Sequence, residues 1–363
     1  MTKPAFIVTI DTEGDNLWAS PREIETKNAA YLPRFQQLCE EFGFKPTWLT
    51  NYEMAVSPCF NDFGRKLIAN GTGEIGMHLH AWNSPPVVPL TSDDFRFLPY
   101  LIEYPEDLAE EKVSHMTTLL EDRFETKMVS HRAGRWAFNA HYAKLLIKYG
   151  YLADCSVTPN VSWTETMGSP EGKGGTDYSK FPSTPYFMDV ADISRPDLSG
   201  ASTLLEVPPT VIKSQLFRRF PWTYSVRGVK RFAWKYQPKL VWLYPDATNL
   251  KHMLASVREA VKEKKPYVEF VLHSSELMPG GSPSLPDAAS IELLYRDLRV
   301  LFTEISRNFV GMTLAEFRNQ WVAEHAPNAA ARVAAGYDEL KIRAQPMPSA
   351  PTLNTAPSLK AKV

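Results

Sequence analysis

Strand-like segments in this chain end again and again on ionisable residues, and that placement limits the fold more than any bulk property. Residues 5–10 (AFIVTI) form a β-rich run that stops at DTEGD. Residues 45–49, 74–80 (EIGMHLH), 128–131 and 152–157 read as further strands. Helical periodicity fills the intervals at 31–42, 62–69, 106–124 and 139–149. The alternation resumes with a strand at 203–207 (TLLEV), a helix at 249–263, a strand at 267–272 and a helix at 288–305. Such alternation implies a parallel sheet with helices outside it. In parallel α/β barrels the chemistry sits at the carboxyl ends of the strands. DTEGD, HLHAW, HRAGRW, DCS and HSSE all fall there, so five separate segments bring polar groups to one rim.

Barrels of this class use up to a few hundred residues as one unit, and residues 1–325 are read as a single domain. A segment rich in Gly, Pro, Ser and Asp at 158–202 interrupts the pattern as a long insertion loop, and such loops inside a compact domain carry function or lack structure. Residues 326–363 turn to Ala, Pro, Ser and Lys without period and are expected to be a disordered tail. The net charge of −1 provides no global field to recruit nucleic acid or anionic membrane. Cys39, Cys59 and Cys155 have no close spacing, which suits a reducing compartment. The apolar stretch near the N-terminus is too short for a signal peptide, and no run is long enough to span a bilayer. The expected location is cytoplasmic.

Asp11 and Glu13 are two apart, so on a continuing strand their side chains share a face. Two carboxylates at a barrel mouth are able to divide labour, one holding a cation and the other taking a proton from water. Asp15 continues the same period, and a solvated acidic turn is the plain alternative. His78 and His80 repeat the spacing on another strand, and two imidazoles with a carboxylate describe a hydrolytic Zn²⁺, Fe²⁺ or Co²⁺ site. His273, after an apolar strand, suits a general acid, although it would serve equally to bond the following turn. Asp154 is placed to orient that imidazole, and Arg132 to pair with Asp11 and keep it ionised. Trp136 either lines the pocket or belongs to the core.

These residues also fall in a known order. IDTE, GMHLH, RAGRW, DCS and VLHSS resemble the five motifs of the polysaccharide deacetylases (NodB homology, carbohydrate esterase family 4), in a variant of the kind found in O-antigen and surface-polysaccharide loci. The resemblance implies a distorted, incomplete (β/α)7 barrel that removes an N-acetyl group from a sugar with one divalent metal ion. It makes Asp11 the catalytic base, Glu13 the metal carboxylate, His78 the first metal histidine and His273 the catalytic acid. Arg132 would hold Asp11 and Asp154 would tune His273. The family's second motif is HxxxH, whereas Trp82 stands four residues after His78. His80 is the nearest substitute, with Asp15 or water as the other ways to complete the shell.

Residues 217–236 interleave six Arg or Lys with seven aromatics. They read either as a basic surface helix or as a peripheral membrane contact towards a lipid-linked glycan; a nucleic-acid role has no motif behind it. The implied substrate is an N-acetylated sugar, free, as a nucleotide sugar or lipid-linked. Two other readings stay open: a catalytically degenerate barrel that binds glycan, and a related hydrolase acting on another C–N bond.

Overall fold

The computed structural model describes residues 3–220, 222 and 238–325. The expectations for 326–363 and for most of 217–236 therefore lie outside the described residues. One compact unit covers Met1–Gln320, and a second, Trp321–Val363, is described only at the end of the last helix.

Seven parallel strands make the frame. In spatial order they are β10 (Tyr267–His273), β1 (Ala5–Thr12), β2 (Thr47–Thr50), β3 (Glu74–Leu79), β4 (Ser130–Ala133), β5 (Ala153–Asp154) and β7 (Leu205–Glu206). Short β6 (Tyr186–Phe187) adds antiparallel at the far edge, and β11 (Val310–Met312) pairs with the start of β1. Every residue of β1 is buried, as its unbroken apolar run requires of a strand covered on both faces. Helix boundaries follow local chemistry. Pro58 opens the helix Pro58–Asn70 and left-handed Gly71 closes it. The Asn139 side chain accepts from Tyr142 N–H at the start of Ala140–Lys148. Asp287 does the same for Ser290 ahead of Ala288–Asn308. Phe6, Phe44, Phe270 and Phe302 pack edge to face and lock that last helix onto the sheet.

The sheet is curled. In a flat sheet β4 and β10 would stand four strand spacings apart, roughly 19 Å. Instead the guanidinium of Arg132 on β4 lies 2.6 Å from Glu269 on β10. The result is the incomplete (β/α)7 barrel that the sequence implies, open between β10 and the β7–β6 edge. Several strands differ from expectation, β6 and β11 among them, since neither was expected. β4 both begins and ends two residues later, so Arg132 lies within the strand rather than in the turn after it. A separate hairpin, β8 (Val211–Lys213) with β9 (Leu240–Trp242), has no counterpart in the sequence reading. No helix among the described residues is long and apolar enough to cross a membrane.

Candidate active site

The rim of β1, β3, β4 and β10 gathers the acidic, basic and imidazole groups. Asp11, next to last in β1, is in register with His273 at the end of β10. Its Oδ1 accepts from Arg132 Nη1 at 2.5 Å, and its Oδ2 lies 3.8 Å from His273 Nε2. The other Arg132 nitrogen, Nη2, donates to Thr9 Oγ1 and to Glu269 Oε1, both at 2.6 Å. Arg132 is wholly buried, as is Glu269. Burial works against the Asp11 anion, but Arg132, His78 and His273 outweigh it and hold its pKa below the ordinary carboxylate value. Desolvation pushes Glu269 up to about 7, against the opposing pull of Arg132 and Thr9.

Glu13, His78 and His80 converge, with one donor atom from each lying within 4.8 Å of the others. Glu13 Oε2 stands 3.8 Å from His78 Nε2 and 3.5 Å from His80 Nε2, and the two ring nitrogens are 2.9 Å apart. His78 Nδ1 lies 3.0 Å from the carbonyl of Arg132, which only accepts, so Nδ1 carries the proton and Nε2 presents its lone pair to the cluster. Desolvation lowers His78 to about 4 and His80 well below its ordinary value, keeping both imidazoles neutral. It raises Glu13 to about 8, against the opposing pull of His273 and with Asp11, Glu53 and Glu276 adding to the rise. Two neutral imidazoles and a buried carboxylate that needs a positive partner fit a divalent cation.

Asp15 is not part of this cluster. Its oxygens accept from the backbone of Lys27 and Asn28 and from the Asn28 amide, so it ties down the loop after β1. His80 is braced instead by Trp82, whose ring lies 4.3 Å away, and by Asn51, which accepts from the His80 N–H. Gly134 lies so close that a Cβ there would sit 2.3 Å from the His80 ring.

Asp154 lies elsewhere than its expected role requires. Its Oδ1 sits 2.6 Å from His131 Nδ1, while Tyr142 bonds the other ring nitrogen of His131. Side chains alternate along β4, so with Arg132 turned to the interior His131 turns away, and Asp154, its register partner, goes with it. The expectation that Asp154 orients His273 is therefore corrected. The carboxylate at His273 is Glu276, 3.2 Å from Nδ1.

Trp136 follows β4 on two successive left-handed residues, Arg135 (φ 53°) and Trp136 (φ 63°), a conformation that costs energy for side chains of this size. It is held by Tyr178, whose hydroxyl donates to the Trp136 carbonyl at 2.5 Å, and by the Arg132 guanidinium 4.8 Å from its ring. Its indole lines a cleft of about 330 Å³ with Trp163, Trp242, Tyr244, Asp246 and His273. Trp163 belongs to the loop at 158–202 and Trp242 to β9, so the insertion loop and the hairpin both reach the site. Glu269, Glu276, Tyr244 and Trp242 were missed by sequence reasoning. Only Glu276 carried a signal, as part of the HSSE rim cluster.

At the sequence level, no family profile and no characterised protein matches the chain. Solved structures do match in fold. A candidate polysaccharide deacetylase from Mycobacterium smegmatis aligns over 89% of this chain and 92% of its own, with a TM-score of 0.51 and 15% identity. A candidate glycoside hydrolase/deacetylase from Parabacteroides distasonis aligns over 89% and 73%, with a TM-score of 0.56 and 11% identity. A CE4 family pseudoenzyme from Bacillus anthracis aligns at a TM-score of only 0.38. The chain thus shares the barrel of the deacetylase type.

Proposed function

We propose that this protein is a metal-dependent carbohydrate N-deacetylase. The observation that carries the reading is the convergence of Glu13, His78 and His80 beside Asp11 and His273, a cation-binding donor set flanked by a base and an acid. Glu13, His78 and His80 would hold the ion, zinc or alternatively Fe²⁺ or Co²⁺. When bound, that ion supplies Lewis-acid polarisation of the acetamide carbonyl and acidifies water.

The chain's own groups do the rest. Asp11, kept ionised by Arg132, removes a proton from the attacking water. His273, protonated and facing Asp11, delivers a proton to the departing nitrogen. Arg132 fixes the carboxylate in place and shields it from protonation. The tryptophan-lined cleft beside His273 supports a sugar substrate, since indole faces pack against pyranose rings. Among the described residues lining it there is no Lys or Arg, and one carboxyl side chain, Asp246, is present. That lining favours an uncharged saccharide over the diphosphate of a nucleotide sugar. Surface-polysaccharide or O-antigen synthesis in the cytoplasm is the setting that the ordered motifs support.

Elemental analysis of the purified protein, coupled to acetate release from a panel of N-acetylated mono- and oligosaccharides and nucleotide sugars, tests the reading. Stoichiometric divalent metal with acetate released is expected. Metal-loaded protein that binds saccharide but releases no acetate would instead leave a glycan-binding barrel.

A further inference from the structure

His273 ends β10, and the chain turns at once into the short helical turn Ser274–Leu277. That turn brings Glu276 back over the strand end. Its Oε2 accepts the backbone N–H of His273 at 3.0 Å and lies 3.2 Å from the ring Nδ1. Its Oε1 accepts the Tyr244 hydroxyl at 2.5 Å. Glu276 is 1% exposed, so the carboxylate has exchanged water for these partners. Nδ1 is thereby turned inward and Nε2 outward, towards Asp11 and the cleft.

We infer that Glu276, anchored by Tyr244, is the positioning residue of His273, holding its ring orientation and its proton in place of Asp154. A carboxylate accepting from Nδ1–H fixes the tautomer and stabilises the imidazolium, which is what a general acid needs from the group behind it. Tyr244 extends the arrangement. It lines the cleft next to His273, with the two rings 5.9 Å apart, so the group that steadies Glu276 also forms the wall against which a saccharide would rest. The edge of Trp18 covers His273 from a third side, at 5.0 Å between ring centres.

The titratable groups facing His273 are Glu276 on its own turn, Tyr244 after β9, Asp11 and Glu13 from β1 and the loop that follows, and His78 and His80 from β3 and the residue after it. Burial lowers the imidazole's proton affinity, and the Glu276 bond with the charges of Glu13, Glu276 and Asp11 more than reverses this, raising it to about 9. Asp154 stands among none of these groups.

The test is the histidine ring titration followed by NMR in zinc-loaded protein, together with the pH–rate profile. The NMR arm does not depend on turnover, so its failure is separable from failure of the deacetylase reading on which the inference rests. Glu276→Gln is expected to lower the His273 midpoint by about one pH unit or more and to move the basic limb of the rate profile with it. Glu276→Asp is expected to restore part of the shift, and it serves as the probe if the Gln variant does not fold. Tyr244→Phe is expected to keep the midpoint above the free-histidine value while lowering kcat, because the charge stays and its anchor goes. Asp154→Asn is expected to leave the His273 midpoint unmoved. A midpoint unchanged in both Glu276 variants, or one displaced by Asp154→Asn, would overturn the inference.

Discussion

The Nε2 atoms of His78 and His80 stand 2.9 Å apart, although only Leu79 separates them in the chain. Strand alternation puts both rings on one face, and Glu13 from the neighbouring loop closes the triangle. A histidine two residues on thus joins the donor cluster, whereas the motif that the sequence resembles places its second histidine four residues on. The difference is geometric: a strand repeats its face every second residue, so the substitute must stand at an even, short spacing.

Removing His80 should then disable the cation site, whereas removing Asp15 should not. His80→Ala is expected to weaken zinc binding by more than the ~10–100-fold that loss of an outer-shell partner costs. Asp15→Ala is expected to bind zinc as the parent does and to lose only loop order. Calorimetric titration of both variants checks this. Full zinc affinity in His80→Ala would place the ion elsewhere.

Asp11→Asn keeps the shape of the side chain and an oxygen for Arg132 but loses the proton acceptor. Turnover should fall by about 10²–10⁴-fold, with zinc content unchanged because Asp11 is not among the converging donors. Activity retained in this variant would remove Asp11 from the role of base.

Arg132 pairs with two buried carboxylates, Asp11 and Glu269. Arg132→Met leaves Asp11 and Glu269 without it, and loss of one partner from a buried ion pair costs about 3–5 kcal/mol. Urea unfolding at neutral pH should show that loss. The sign with pH follows from Asp11, whose folded pKa is depressed. Its contribution is present above the unfolded value of about 3.9 and disappears as pH falls through the folded value. The gap between parent and variant should therefore narrow in acid. A gap that is constant with pH would mean that packing, not charge, sets the cost.

The strand order and the rim residues were legible because both rest on short periods: apolar runs mark the strands, and alternation tells which side chains share a face. Asp11, Glu13, His78 and His80 are all of this kind. Asp154 was misread for a physical reason. Its strand is only two residues long, so which way its side chain turns depends on pairing with β4, and the sequence does not show that His131 waits there. Glu276 was hidden because it reaches His273 through a tight turn with no strand period. Trp163 reaches the cleft from the 158–202 loop, where no periodicity predicts direction, and Trp242 from the β8–β9 hairpin, whose strands are too short to show a period.

Those two tryptophans offer a way to read substrate size. If Trp163 and Trp242 hold a ring beyond the one being deacetylated, their loss should weaken an extended substrate selectively. An aromatic packing contact is worth about 0.5–1.5 kcal/mol beyond its buried area, or roughly 2- to 12-fold in affinity. Trp163→Ala and Trp242→Ala are each expected to raise KM for an N-acetylated disaccharide by about that factor, with KM for the monosaccharide nearly unchanged. The comparison separates the substrate forms because the described cleft lining offers no Lys or Arg to a diphosphate, only imidazoles. Equal effects on both sugars would limit the cleft to a single ring. A nucleotide sugar bound more tightly than the disaccharide would mean that a cation from outside the described lining completes the site.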